Sequence, residues 1–235
     1  MSVHSDAGTW IDNFDDINLN GWERIVEEDP WFASWEVADP LEFEYLLAII
    51  GKPKQEQVTA ADFLYWNAHQ FQLDKVTVVG EKIRYPRGDR FISGELCLFL
   101  GKRQPFPEFA EGYIFSPEKT TEMRFTENGV YTKGEVKADY GLMFRLTSGD
   151  IRVVFDTGKF QLFTQDLPIT EFVDDEIPKI DVVGLMCVFE FPGERFKGTI
   201  STFSITGSGI PQSNVLDVRL REEQLTTTWS KLKRF

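Results

Sequence analysis

Basic residues are scarce in this chain: 25 Lys and Arg stand against 38 Asp and Glu, a formal charge of −13 over 235 residues. A negative field of that size repels phosphate backbones, and no Lys/Arg cluster offsets it, so nucleic acid and anionic membrane surfaces are poor partners. Cysteine is nearly absent as well. Cys97 and Cys187 are the only two, too few for a disulfide framework, and each lies in an apolar run, Leu96-Cys97-Leu98 and Met186-Cys187-Val188. That setting predicts buried free thiols, with one intersheet disulfide as the alternative. A catalytic thiol has little support, because the only histidines are His4 and His69. No uncharged apolar run is long enough to cross a bilayer. The opening Met1-Ser-Val-His-Ser-Asp has neither a basic nor an apolar leader region, so no signal peptide is expected.

What is present points to a soluble globular protein. Hydrophobic residues make up 42% of the chain, with 21 Phe and 6 Trp, which is too rich for disorder. The acidity is concentrated: residues 1–60 hold 13 acidic against 3 basic side chains, a net −10.

Two-residue alternation recurs along the sequence, and helical periodicity hardly does. Gly141-Leu-Met-Phe-Arg-Leu, Ile151-Arg-Val-Val-Phe and Phe160-Gln-Leu-Phe-Thr, separated by Gly-containing turns, read as an antiparallel meander. Asn128-Gly129 between two β-rich runs marks a tight hairpin. Phe91–Leu100 and Ile180–Phe191 are more continuously apolar, as strands covered on both faces are, and Gly94 and Gly184 inside them signal bulges or close backbone approach. Further strands are expected near Trp22–Val26, Ser34–Val37, Phe43–Ile49, Phe71–Val79, Gly112–Phe115 and Thr199–Ile205. In the last, Phe203 and Ile205 share a face and Ile200 falls on the other, so a bend is expected there. Between Val58 and His69 the alanines suit a short helix. Roughly 12 or more strands at short spacing give an all-β, two-sheet antiparallel β-sandwich.

The opening Trp10-Ile-Asp-Asn-Phe-Asp-Asp-Ile-Asn-Leu-Asn-Gly-Trp22 followed by Trp35-Glu-Val, the strand Ile180-Asp-Val-Val-Gly-Leu-Met, and the closing Gly198-Thr-Ile-Ser-Thr-Phe-Ser-Ile-Thr-Gly-Ser-Gly-Ile-Pro211 together resemble concanavalin A-like lectin/glucanase (laminin G-like) domains. The resemblance implies one jelly-roll domain over residues 1–211, with residues 212–235 as a C-terminal extension. It also implies a carbohydrate site on a concave face or its rim, and often a structural calcium, for which Asp15 and Asp16 are the ligands here. Many relatives carry an acidic pair in the final strand where this chain has Ile200-Ser-Thr-Phe203, which leaves a shell of roughly six to eight oxygens short of ligands.

The residues themselves offer three functional readings. Sugar stacking needs aromatic rings beside hydrogen-bonding side chains, and Trp31, Trp35, Trp66 and Tyr113 are the candidates, though core packing explains each as well. These support a non-catalytic, lectin-like module for a neutral carbohydrate. The alternative is a carbohydrate-active enzyme, glycosidase or polysaccharide lyase. A retaining glycosidase needs two carboxylates about 5–5.5 Å apart, and no Glu-x-Asp-x-Glu pattern occurs. Glu42 and Glu44 alternate properly but suit a solvated strand face, so no catalytic pair is assigned. His69, Asn67, Gln70, Tyr65 and Tyr113 supply lyase residue types, which an ordinary polar turn also explains. The third reading is a structural or protein-interaction domain.

Overall fold

The computed structural model describes residues 7–14, 19–25, 34–38, 46–51, 60–67, 70–84, 94–116, 119–127, 131–140, 148–189 and 196–212. Every regular element among them is a strand, and no helix among them is long and apolar enough to cross a membrane. In chain order the strands are β1 (Ala7–Asp12), β2 (Trp22–Ile25), β3 (Ser34–Ala38), β4 (Leu46–Gly51), β5 (Ala60–Trp66), β6 (Lys75–Arg84), β7 (Gly94–Arg103) and β8 (Glu108–Phe115). They continue as β9 (Lys119–Thr126), β10 (Tyr131–Asp139), β11 (Ser148–Asp156), β12 (Lys159–Thr164), β13 (Leu167–Val173), β14 (Val182–Phe189), β15 (Phe196–Ile200) and β16 (Thr202–Ser208). Residues 213–235, nearly all of the expected C-terminal extension, lie outside the described residues, as do Gly141–Leu146 of the meander and the Asn128-Gly129 turn. The flanking β9 and β10 pair antiparallel.

Two antiparallel sheets form a sandwich. Seven strands run in the order β10-β9-β8-β7-β14-β5-β2. Nine make up the other sheet, where β13-β12-β11-β6-β15-β4-β3 is joined by β16, which pairs with both β6 and β1. The core between them draws side chains from both sheets: Leu64, Trp66, Leu98, Leu100, Phe115 and Leu185 from the first, Val78, Val153, Phe155, Phe160, Phe203 and Ile205 from the second. Aromatic edge-to-face contacts bridge the layers. Tyr113 lies 5.1 Å from Phe160 and 4.8 Å from Phe172 between ring centroids, and Trp22 lies 4.9 Å from Phe203.

The expected bend in the last strand is at Ser201. Its N–H and its Oγ both donate to the Glu81 carbonyl, at 3.1 and 3.2 Å. The interruption turns Ile200 onto the same side as Phe203 and Ile205, and all three are fully buried between the sheets.

Residues 60–66 form a strand where a helix was expected. Along β5, Leu64 and Trp66 enter the intersheet core while Phe63 and Tyr65 enter a second buried cluster on the opposite face. Burial on both faces makes a strand read as a continuous apolar run, and this tertiary packing outweighs the modest helix preference of Ala60 and Ala61.

The two cysteines are free and buried. Both are in the seven-stranded sheet, with Cys97 opposite Met186 and Cys187 opposite Leu96. That one-residue offset puts the thiols on opposite faces, which rules out the disulfide alternative: Cys187 packs between the sheets and Cys97 on the outer face.

Candidate functional site

The outer face of the seven-stranded sheet, the one turned away from its partner sheet, is itself a core. Phe63, Cys97, Phe99, Met123, Phe125, Met186 and Val188 occupy alternating outward positions on β5, β7, β9 and β14, and all are buried. Glycines make room for the rings: a Cβ on Gly184 would stand 2.7 Å from the Phe63 ring and 2.5 Å from the Leu64 carbonyl oxygen. Phe63 sits at the centre of this cluster, with ring centroids 4.9 Å from Phe99 and 5.4 Å from Phe125.

Polar chemistry begins where this apolar face ends, at the end formed by the start of β2 and the close of β5 and β7. Alternation along β5 carries Tyr65 outward, and the β2–β5 register sets Glu23 directly opposite it. The Tyr65 hydroxyl donates to Glu23 Oε2, and Asn67 Nδ2 donates to Oε1 at 2.6 Å. Both oxygens of this exposed carboxylate are therefore oriented. Burial of the phenol, together with the hydrogen bond and negative charge of Glu23, pushes the Tyr65 pKa up to about 12, against an opposing pull from Arg103.

Arg103, at the end of β7, caps the cluster. Its guanidinium carbon lies 5.5 Å from the Tyr65 ring centroid and 5.2 Å from that of Phe109, a cation–π contact shared by two rings. Its backbone N–H donates to Asp181 Oδ1 at 2.6 Å. Burial raises the Asp181 carboxyl, and the Arg103 N–H and charge oppose that rise. Beyond Arg103 the β7–β8 turn, Gln104-Pro-Phe-Pro107, is tied at both ends: the Gln104 N–H donates to the Phe109 carbonyl at 2.9 Å and the Glu127 N–H to that of Pro107 at 3.1 Å. The result is a rim with an oriented carboxylate, an amide and a guanidinium around a buried phenol.

The residues singled out in the sequence are not brought together here. Trp66 is 2% exposed and packs between the sheets, 5.0 Å from Trp10 and 5.4 Å from Phe71. No partner within the described residues reaches its buried indole N–H. Tyr113 is 1% exposed and donates to Asp174 Oδ2 at 2.7 Å. Trp35 packs against the intersheet core, partly buried. Neither Trp66 nor Tyr113 offers a ring face to solvent, and Trp31, Asp15 and Asp16 lie outside the described residues. Glu23 and Arg103 were missed. Their signal is topological, since only strand pairing sets Glu23 beside Tyr65.

Among the described residues no three His, Cys, Asp or Glu side chains converge to hold a metal ion. Asp12, near the implied calcium ligands, accepts hydrogen bonds at both carboxylate oxygens: the Trp22 indole N–H at Oδ2 and the Phe14 N–H at Oδ1, each at 2.8 Å. The Ser201 hydroxyl donates to the Glu81 carbonyl.

No family model matches the sequence, and no curated protein matches it. Solved structures do match in shape. A glycoside hydrolase family 16 endo-glucanase from Bacteroides ovatus superposes with a TM-score of 0.52 at 9% identity, covering 83% of this chain and 99% of that one. The carbohydrate recognition domain of Emp47p gives 0.51 at 11% identity, covering 85% and 95%. The β-glucanase of Bacillus licheniformis gives 0.50 at 9%, covering 84% and 97%. Sandwich topology and these likenesses agree: this chain has the concanavalin A-like jelly-roll fold that the two glucanases and the Emp47p carbohydrate recognition domain share.

Proposed function

We propose that the protein is a non-catalytic binding module for a neutral carbohydrate, which engages the rim formed by Glu23, Asn67 and Arg103. The observation that carries this reading is the filling of the outer sheet face by buried apolar side chains. A retaining glycosidase sets two carboxylates about 5–5.5 Å apart on that kind of surface. Among the described side chains, Cys97, Phe99 and Gly101 of β7, Met123 and Phe125 of β9, and Val182, Gly184 and Met186 of β14 hold outward positions. Among the described residues, what remains for a hydroxyl-rich ligand is the polar end. There the guanidinium offers up to five donors in a fixed fork, and Glu23 is oriented by Tyr65 and Asn67. The side-chain charges of Glu23, Asp181 and Arg103 sum to a small value, which suits a neutral glycan better than a polyanionic one.

A glycan array probed with calcium and with EDTA tests the reading. Retention of neutral glycans, lost in Glu23→Gln and Arg103→Ala, is the expected result; retention of nothing under either condition sinks it. Release of reducing ends from a polysaccharide panel would replace the binding module with an enzyme.

A further inference from the structure

The large hydrophobic side chain most exposed among the described residues is Phe106, at 83%. It stands at the tip of the β7–β8 turn between Pro105 and Pro107. Most other described phenylalanines fill the two cores, and the half-buried Phe163 is covered by the Arg152 guanidinium at 4.1 Å, so a ring left almost wholly in water is a departure from this molecule's own pattern. Nor is the ring on a loose segment. Each proline fixes its own φ, and the turn is held at Gln104 and at Pro107 by the backbone hydrogen bonds to Phe109 and Glu127. Chain length limits Phe106 to roughly 11 Å from Arg103, three residues away.

Resting on the binding reading above, we propose that Phe106 is the stacking platform of the same site: it takes the apolar C–H face of a pyranose ring while Arg103 and Glu23 meet hydroxyls of the same glycan. The chemistry on each side is complementary. A pyranose has one face of C–H groups and a rim of hydroxyls, and stacking on an aromatic removes both apolar surfaces from water. A turn whose backbone is held before binding loses little backbone freedom on contact, so more of the contact energy appears as affinity. The same turn serves poorly as a membrane anchor, because the tip is followed by Glu108 and tied to Glu127 on a chain of net charge −13, which opposes an anionic surface. The ligand class that fits is a neutral oligosaccharide with an equatorial, hydroxyl-rich ring.

Affinity electrophoresis in gels containing mixed-linkage β-glucan, laminarin or galactomannan tests the assignment on the full chain. Substitution at so exposed a position leaves the fold intact, which an unchanged melting temperature verifies. Phe106→Ala is expected to weaken binding to the retarding polysaccharide by about tenfold or more, the size of a lost aromatic contact, and Phe106→Trp to restore it. If wild type is retarded and Phe106→Ala is retarded equally, the platform is overturned and the binding reading stands. Failure of wild type to be retarded by any of the three, with no glycan retained on the array, overturns both.

Discussion

The hydroxyl of Tyr113 donates to Asp174 Oδ2 at 2.7 Å, and Asp174 Oδ1 accepts the N–H of Glu176 at 2.9 Å. One carboxylate thus ties β8 of the seven-stranded sheet to the crossover that leaves β13 of the nine-stranded sheet and enters β14. The connection is reinforced by Lys102, whose Nζ donates to the Glu176 carbonyl at 2.6 Å and pairs with Glu111 at 2.7 Å. Burial, and then the hydrogen bond and charge of Asp174, hold the Tyr113 phenol well above its ordinary pKa.

Tyr113→Phe removes the donor and leaves the ring in contact with Phe160 and Phe172. Loss of a hydrogen bond to a charged acceptor costs about 1–3 kcal/mol, and urea denaturation should show that drop with an unchanged m-value. Asp174→Ala is expected to cost more than Tyr113→Phe, because it strands the hydroxyl and also removes the acceptor for Glu176. Equal stabilities for wild type and both variants would mean that the crossover is not anchored by this carboxylate.

Tyr65 gives a pH dependence with a defined sign. Its folded-state value of about 12 exceeds the ordinary 10.0, so the folded chain holds the phenolic proton more tightly than the unfolded chain does. The stability that this confers is intact below pH 10, and it is lost as pH rises towards 12. Tyr65→Phe should flatten the alkaline limb of a stability profile over that window. Glu23→Gln should lower the tyrosinate midpoint only in part, because burial is the larger cause and remains. An ultraviolet difference titration reads the midpoint directly.

The second core predicts an effect opposite to that of an open groove. Phe99 is fully buried on the outer face of the seven-stranded sheet, against Phe63. Phe99→Ala should cost about 3–5 kcal/mol, the usual range for a buried phenylalanine, and leave glycan retention at the rim unchanged once the protein is folded. A Phe99→Ala protein of wild-type stability with altered retention would make this face a binding surface.

The Phe91–Leu100 run and the Ile180–Phe191 run announced strands buried on both faces, and the structure pairs Gly94–Gly101 with Val182–Phe189, in β7 and β14, at the centre of the seven-stranded sheet. Residues 60–66 carried the same signal in Phe63-Leu-Tyr-Trp66, but the two alanines before it suited a helix, and only the neighbours on each side decide between them. The candidate site was harder to read for a related reason. A tryptophan beside polar residues looks alike in sequence whether its ring faces the core or solvent, and Trp66 turns inward because alternation places it with Leu64. Glu23 and Tyr65 are 42 residues apart, and no local pattern announces a pairing that is made only when β2 lies down beside β5.

The cysteines give a prediction independent of any ligand. Cys97 and Cys187 are fully buried and face away from each other across adjacent strands. Neither can reach the other without a register slip that would turn every side chain of its strand over. A thiol reagent should therefore modify neither cysteine in the native protein and both after denaturation without reductant, with a rate in mild denaturant that follows global unfolding. Since Cys97 lies in the outer core and Cys187 in the intersheet core, their two rates also compare the stability of the two cores. Equal rates mean that the two cores open together. Faster labelling of Cys97 would mean that the outer core opens locally while the sandwich stays closed, and recovery of a disulfide-linked peptide would overturn the register itself.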